Sequence, residues 1–164
     1  MAKPITARYE DFVIEVNKGT AGAPQWQKIC GMRGYTMNRT ANVQQTEVPA
    51  DCDDESLPLA IEKEIQSLNF TLSGQGAWAL REHGFMQDWF YGSERREIRV
   101  TNVVAQSQGD LGTPFRETGF AFMTQLNNDR QKGQKVSADI AFEFDGTPTR
   151  EAVDQAMIDA RTPV

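Results

Sequence analysis

The sequence is poor in the residues that catalysis draws on. It holds one histidine, His83, and two cysteines, Cys30 and Cys52. A Ser-His-Asp or Cys-His arrangement would have to use His83, no G-x-S-x-G surrounds a serine, and neither cysteine sits in a motif. Metal sites need several ligands at short spacing, which a single histidine does not supply. The two thiols match no zinc or redox spacing. In a cytoplasmic protein they default to the free form, and a disulfide formed later, or between subunits, stays open. No apolar run approaches the roughly 20 residues of a membrane helix. Residues Met1 to Ile5 carry no apolar h-region, so the expectation is a chain that folds in the cytoplasm of the cell that makes it. Excess positive charge is missing too. The net charge is −6, whereas phosphate neutralisation dominates nucleic-acid affinity. Arg95, Arg96 and Arg99 are interleaved with Glu94 and Glu97 and read as a solvated strand edge.

Other chemical patterns are incomplete. Asp51, Asp53 and Asp54 lack the glycine and distal glutamate of a calcium loop. Ser73-Gly74-Gln75-Gly76 lacks the Gly-Lys-Ser/Thr of a phosphate loop and the three spaced glycines of a dinucleotide fingerprint. Asp139 and Glu143 share a strand face, but the aromatic-lined cleft a glycosidase would want is not announced. The reading is a non-enzyme with no cofactor and no metal.

What is present is a chain of 164 residues, 39% hydrophobic and 24% charged. That length fits one domain that removes roughly 70% of its unfolded surface from water, and the balance excludes disorder and a coiled coil. Strand alternation is the main signal. Phe12, Ile14 and Val16 form a first strand, and Asn17 to Gly22 is turn chemistry. Trp26 to Cys30 closes a hairpin. Tyr35, Met37 and Arg39 alternate next. Leu68, Phe70 and Leu72 form a half-buried strand that Ser73–Gly76 ends. Ile98 and Val100 begin another, running to Val104, and residues 109–114 are a loop. Two long strands close the domain, one with Phe120, Phe122, Thr124 and Leu126, the other with Val136, Ala138, Ile140, Phe142 and Phe144. The alternate face of the last is Ser137, Asp139, Ala141, Glu143 and Asp145, so one face meets the core and the other meets water.

Helical spacing occurs twice. Ala77 to Tyr91 pairs Phe85 with Trp89 and Met86 with Phe90, with Gly92 placed as the C′ glycine. From Thr149, a candidate N-cap, Val153, Ala156, Met157 and Ala160 share a thin stripe. The expected core is Phe70, Leu72, Phe85, Trp89, Phe120, Phe122, Ile140, Phe142 and Phe144. Between the strands lies a polar excursion, residues 40–64, with two prolines and dense acids, in which Ser56 could cap a short helical turn. A long irregular segment in a compact domain is usually functional.

The order of elements, together with Trp26-Gln27-Lys28-Ile29-Cys30-Gly31, Leu72-Ser73-Gly74-Gln75-Gly76-Ala77-Trp78 and Phe142-Glu143-Phe144-Asp145-Gly146-Thr147-Pro148, resembles the major tail tube proteins of long-tailed, non-contractile bacteriophages over roughly residues 9–148. The resemblance implies a mainly β fold, a β-sandwich or partial barrel with one flanking helix, a long loop or hairpin excursion and terminal arms. The β domain would span residues 1–148, with an N-terminal arm (1–8) and an inter-ring loop (40–64), followed by a C-terminal helical arm (149–164). It implies self-assembly into stacked hexameric rings, the conduit for DNA ejection, in a virion tail assembled in the host cytoplasm. Implied partners are other copies of the chain and the tail terminator, distal tail and tape-measure proteins. Double-stranded DNA would pass without specific binding, and no membrane is involved. Asp139 and Glu143 are then candidates for the lumen lining, and Val48, Asp51, Asp53, Asp54 and Glu55 for the inter-ring contact. Alternatives are another ring-forming tail component (a terminator, a distal tail ring or a contractile-tail tube) and a small β-barrel binding a hydrophobic ligand among Phe120, Phe122, Phe142 and Phe144.

Overall fold

The computed structural model describes residue 9, residues 12–102 and residues 115–153. The arm at 1–8, the end of the strand expected to reach Val104, the loop at 109–114 and the stripe beyond Val153 lie outside the described residues. The remaining chain is mainly β: β1 (Phe12–Asn17), β2 (Trp26–Gln27), β3 (Met32–Val48), β4 (Ala60–Ala77), α1 (Leu80–Gly92), β5 (Arg96–Asn102), β6 (Phe115–Asp129), β7 (Ser137–Phe144) and β8 (Thr149–Ala152). All eight strands join one antiparallel sheet in the order β2-β1-β5-β6-β7-β4-β3, and β8 pairs with β6 beyond the end of β7.

The sheet is curled. Phe12 of β1 and Arg39 of β3 lie near opposite ends of the strand order, yet both line one cleft with Phe70, Val100, Phe115 and Glu117. Arg39 donates to the Glu117 carboxylate through Nη2 at 2.5 Å and Nε at 3.3 Å, closing the curl. Strand twist makes such a sheet roll up as strands are added. The result is a partial barrel whose inner face, with α1 packed on it, holds one apolar cluster. Trp89 is 1% exposed and stacks on Phe142 with centroids 4.9 Å apart and planes 19° apart. Its indole N–H donates to the Glu94 carbonyl at 2.9 Å, so the buried donor is satisfied. Met86, Leu72, Ile140 and Phe144 complete the contacts beneath the helix, and Phe85 and Phe70 pack half-buried at the edge.

Two core expectations are overturned. Phe120 and Phe122 are 37% and 38% exposed, while Ala121 and Met123 point inward. The cause is a β-bulge between Met123 and Gln125. An extra residue reverses the parity of a strand, so Leu126 packs on the core while Phe120 and Phe122, three and two repeats of the pleat earlier, face out. The even spacing of all three in the sequence hides this. Phe144 also keeps Gly119 small: a Cβ there would come within 2.9 Å of its ring. Phe120, Phe122, Phe142 and Phe144 therefore line no common cavity.

Four local expectations also change. Ser73–Gly76 does not end a strand but lies inside β4. Its glycines make room for neighbours: a Cβ on Gly74 would sit 2.8 Å from the Tyr35 ring, and one on Gly76 2.1 Å from the Gly31 carbonyl oxygen. The helix stops at Gly92, and it is Ser93 that takes the left-handed conformation, φ 53°, with its N–H on the Phe90 carbonyl. Thr149 caps no helix; Thr149–Ala152 extend the line of β7 along β6, register Thr118↔Thr149, because the unpaired edge of β6 offers those backbone groups partners. Finally, β5 is an interior strand, not a solvated edge, and its arginines are engaged. Arg99 holds the Glu15 carboxylate through two bonds, 3.0 and 3.1 Å, and lies over Trp26; Arg96 lies over Phe85; Arg95 pairs with Asp145 at 2.7 Å.

Candidate functional site

The polar excursion is two long strand arms and a turn. β3 and β4 pair in register from Met32↔Gly76 to Val48↔Ala60. β7 covers the other edge of β4 only from Thr71 to Ala77. Among the described residues, 60–70 of β4 thus pair with β3 alone, a free ribbon of about 35 Å at ~3.3 Å per residue. At its tip Asp51 accepts from the Asp53 N–H at 2.9 Å, and Asp54 accepts from the backbone N–H of Ser56 at 3.0 Å and from its hydroxyl at 2.5 Å. These are Asx turns, so Ser56 caps no helix. The hydrogen bonds from Ser56 hold the Asp54 carboxyl below the usual carboxylate range. Asp51, Cys52, Asp53, Asp54 and Glu55 are exposed at the tip, and Val48 is half-buried at the end of β3.

The ribbon has two unlike faces. A second bulge, between Asn42 and Val43, skips Gln66 and keeps Val43↔Ile65 and Ala41↔Leu68 on the side of Met37↔Leu72. The core face therefore continues outward as an apolar stripe of Leu68, Val43 and Ile65 and, past the Gln45–Lys63 pair, Ile61. Val43, Ile61 and Ile65 on it are 53%, 58% and 67% exposed. Isolated two-stranded hairpins are marginal in water, and contiguous exposed apolar surface marks an interaction site. The stripe was not evident in the sequence because the bulge changes its parity midway; a search allowing one skipped residue would have found it.

The opposite face is polar. From Gly34 to Thr46 of β3, and at the register-matched positions of β4, β7 and the second half of β6, it carries Glu62, Glu64, Asp129, Asp139 and Glu143 and no lysine or arginine. Asp139 sits opposite Gln75 and Asn127, and Glu143 opposite Thr71 and Phe122. Asp139 is half-buried and Glu143 exposed. The two candidate groups of residues are thus kept apart, Asp139 and Glu143 on the sheet and the acids of residues 51–55 at the tip.

His83 is exposed, accepts from the Trp78 indole at 2.9 Å and meets that ring edge-on. Cys30 and Cys52 are free thiols. Burial pushes the Tyr35 hydroxyl above its ordinary pKa.

The model of the phage tail tube protein family matches residues 6–150. The chain belongs to the phage tail tube protein family. As such it is a virion structural protein of the tail. Solved structures agree on the fold. A gene transfer agent tail, determined with C6 symmetry, is 17% identical, covers 90% of this chain and 100% of its own, and superposes with a TM-score of 0.62. The SPP1 tail tube is 7% identical over 94% of this chain and 84% of its own, TM-score 0.65. A chain of the sheath–tube complex of an extracellular contractile injection system, in its extended state, is 13% identical over 90% of this chain and 93% of its own, TM-score 0.55. No curated protein sequence matches the chain.

Proposed function

We propose that copies of this tail tube chain close into hexameric rings that stack into the channel for DNA ejection. The observation that carries this is the free β3–β4 ribbon, a structure too thin to stand alone, with an apolar stripe on one face. A neighbouring subunit supplies the missing cover. Among the described residues β3 is the end strand of the sheet, and no strand pairs with its outer edge. Pairing that edge with the next subunit removes an aggregation hazard and extends the sheet into a continuous barrel. The sixfold count rests on the gene transfer agent tail, whose symmetry is C6.

In this arrangement the cation-free face, with Asp139 and Glu143, lines the lumen. Carboxylates there repel phosphates, so double-stranded DNA slides without specific binding. The tip residues Asp51, Asp53, Asp54 and Glu55, with Val48, reach the next ring. Tail terminator, distal tail and tape-measure proteins bound the tube, which assembles in the host cytoplasm. The role is structural and involves no catalysis. Removing residues 42–58 tests the ribbon: the expected product is a folded monomer that cannot stack, and full-length tubes from that deletion would refute the assignment.

A further inference from the structure

The charge of the chain is segregated along the β3–β4 axis. Between residues 42 and 66 stand seven carboxylates and one lysine, a balance of −6, equal to the net charge of the whole chain. The remainder is neutral in sum, but its cations are not spread evenly. The register places the β6–β7 turn at the end of β4 opposite the tip, since Ser137 pairs with both Ala77 and Asp129. The Trp78 N–H donates to the Val136 carbonyl at 2.8 Å and fixes the turn there. That turn carries Arg130, Lys132 and Lys135, all exposed. Arg33, at the bulge beside Gly76, and Arg81, in the first turn of α1, are exposed at the same end. Across residues 28–35, 75–84 and 128–138 the one exposed carboxylate is Asp129; Glu82 is buried, paired with Lys18 and 3.6 Å from the Arg81 Nε.

Resting on the ring-stacking reading, we propose that the acidic ribbon of one subunit docks on this basic end of a subunit in the next ring. The occupant is a second copy of the chain, chosen by charge complementarity. An acidic tip meeting an acidic tip is repelled, as is a basic end meeting its like, so stacking is head-to-tail only. Such a heterologous contact propagates instead of closing. Opposite potentials also steer the encounter and suppress the wrong register. The apolar stripe supplies contact area, and the charges supply polarity.

The test is assembly of purified full-length chains, followed by light scattering and electron microscopy, with circular dichroism as the folding control. Reversing the basic end (Arg130→Glu, Lys132→Glu, Lys135→Glu) is expected to raise the critical concentration for stacking at least about tenfold, three rim pairs being turned from attraction to repulsion. Reversing the ribbon (Glu47→Lys, Asp53→Lys, Glu55→Lys) should do the same, and combining both sets in one chain should restore stacking. Wild-type stacking should also weaken as salt rises past the point where the Debye length falls below about 8 Å. That salt series needs no variant and holds if a reversed chain misfolds. Reversed chains that stack like wild type, no rescue by the combination, or stacking indifferent to salt would each overturn the charge-matched contact while leaving the tube reading intact. A wild-type chain that forms no ring or stack at any concentration, even beside a tail initiator, would overturn both.

Discussion

Replacing Ile65 by Gln separates assembly from folding. Ile65 is 67% exposed on the ribbon stripe, opposite Val43, so the isolated chain loses little, within about 0.5 kcal/mol as for ordinary surface substitutions. Fully burying an isoleucine contributes about 1.5–3 kcal/mol. With two-thirds of the residue still accessible, a docking neighbour gains about 1–2 kcal/mol from it. At 1.4 kcal/mol per factor of ten, Ile65→Gln should raise the critical concentration for tubes about 5- to 30-fold. The assay is pelleting of assembled material over a concentration series, beside a denaturant melt of the unassembled chain. An unchanged critical concentration would refute the covered-stripe argument. A large loss of monomer stability would also refute it, because Ile65 would then be packed within its own subunit.

Four further outcomes follow. Trp89→Ala should destabilise the fold by about 3–5 kcal/mol in denaturant melts, since it removes the ring stacked on Phe142. Gly74→Ala should cost about 1–3 kcal/mol by forcing a Cβ into the Tyr35 ring, and Gly76→Ala should cost more, because its obstacle is the Gly31 backbone. Asp54 has a lowered carboxyl pKa through its bonds from Ser56; the tip turn it stabilises should be fully formed above the ordinary carboxylate pKa and lost as pH falls through the lowered value, read as faster exchange of the Ser56 amide. Asp139→Lys with Glu143→Lys should slow DNA ejection while tubes still form, and normal ejection would remove both residues from the lumen.

How much was legible in the sequence depends on whether one face met the core. Residues 138–144 alternate cleanly because Ala138, Ile140, Phe142 and Phe144 are buried while the residues between them are not, and the helix showed through Phe85 and Trp89. The arms of the ribbon showed no such signal: neither face is buried in the subunit, so no burial pattern was written into Thr40–Glu64 beyond acids and prolines. Phe120 and Phe122 misled because the bulge before Gln125 is invisible in spacing. Gly74 and Gly76 read as a turn, although they serve close approach inside a strand. Thr149–Ala152 carried helical spacing, and the free edge of β6 overrode it. Of the candidate site, the acidic tip was visible from composition, but the basic end was not: Arg33, Arg81 and Arg130 are scattered along the chain and share one end only once the strand register is known.

The most direct test of the central claim is electron microscopy of the purified chain at rising concentration. The account predicts rings and stacked tubes with sixfold symmetry, an open channel, and the Asp139–Glu143 face turned toward it. A chain that stays monomeric under all assembly conditions, including in the presence of a tail initiator, would contradict it.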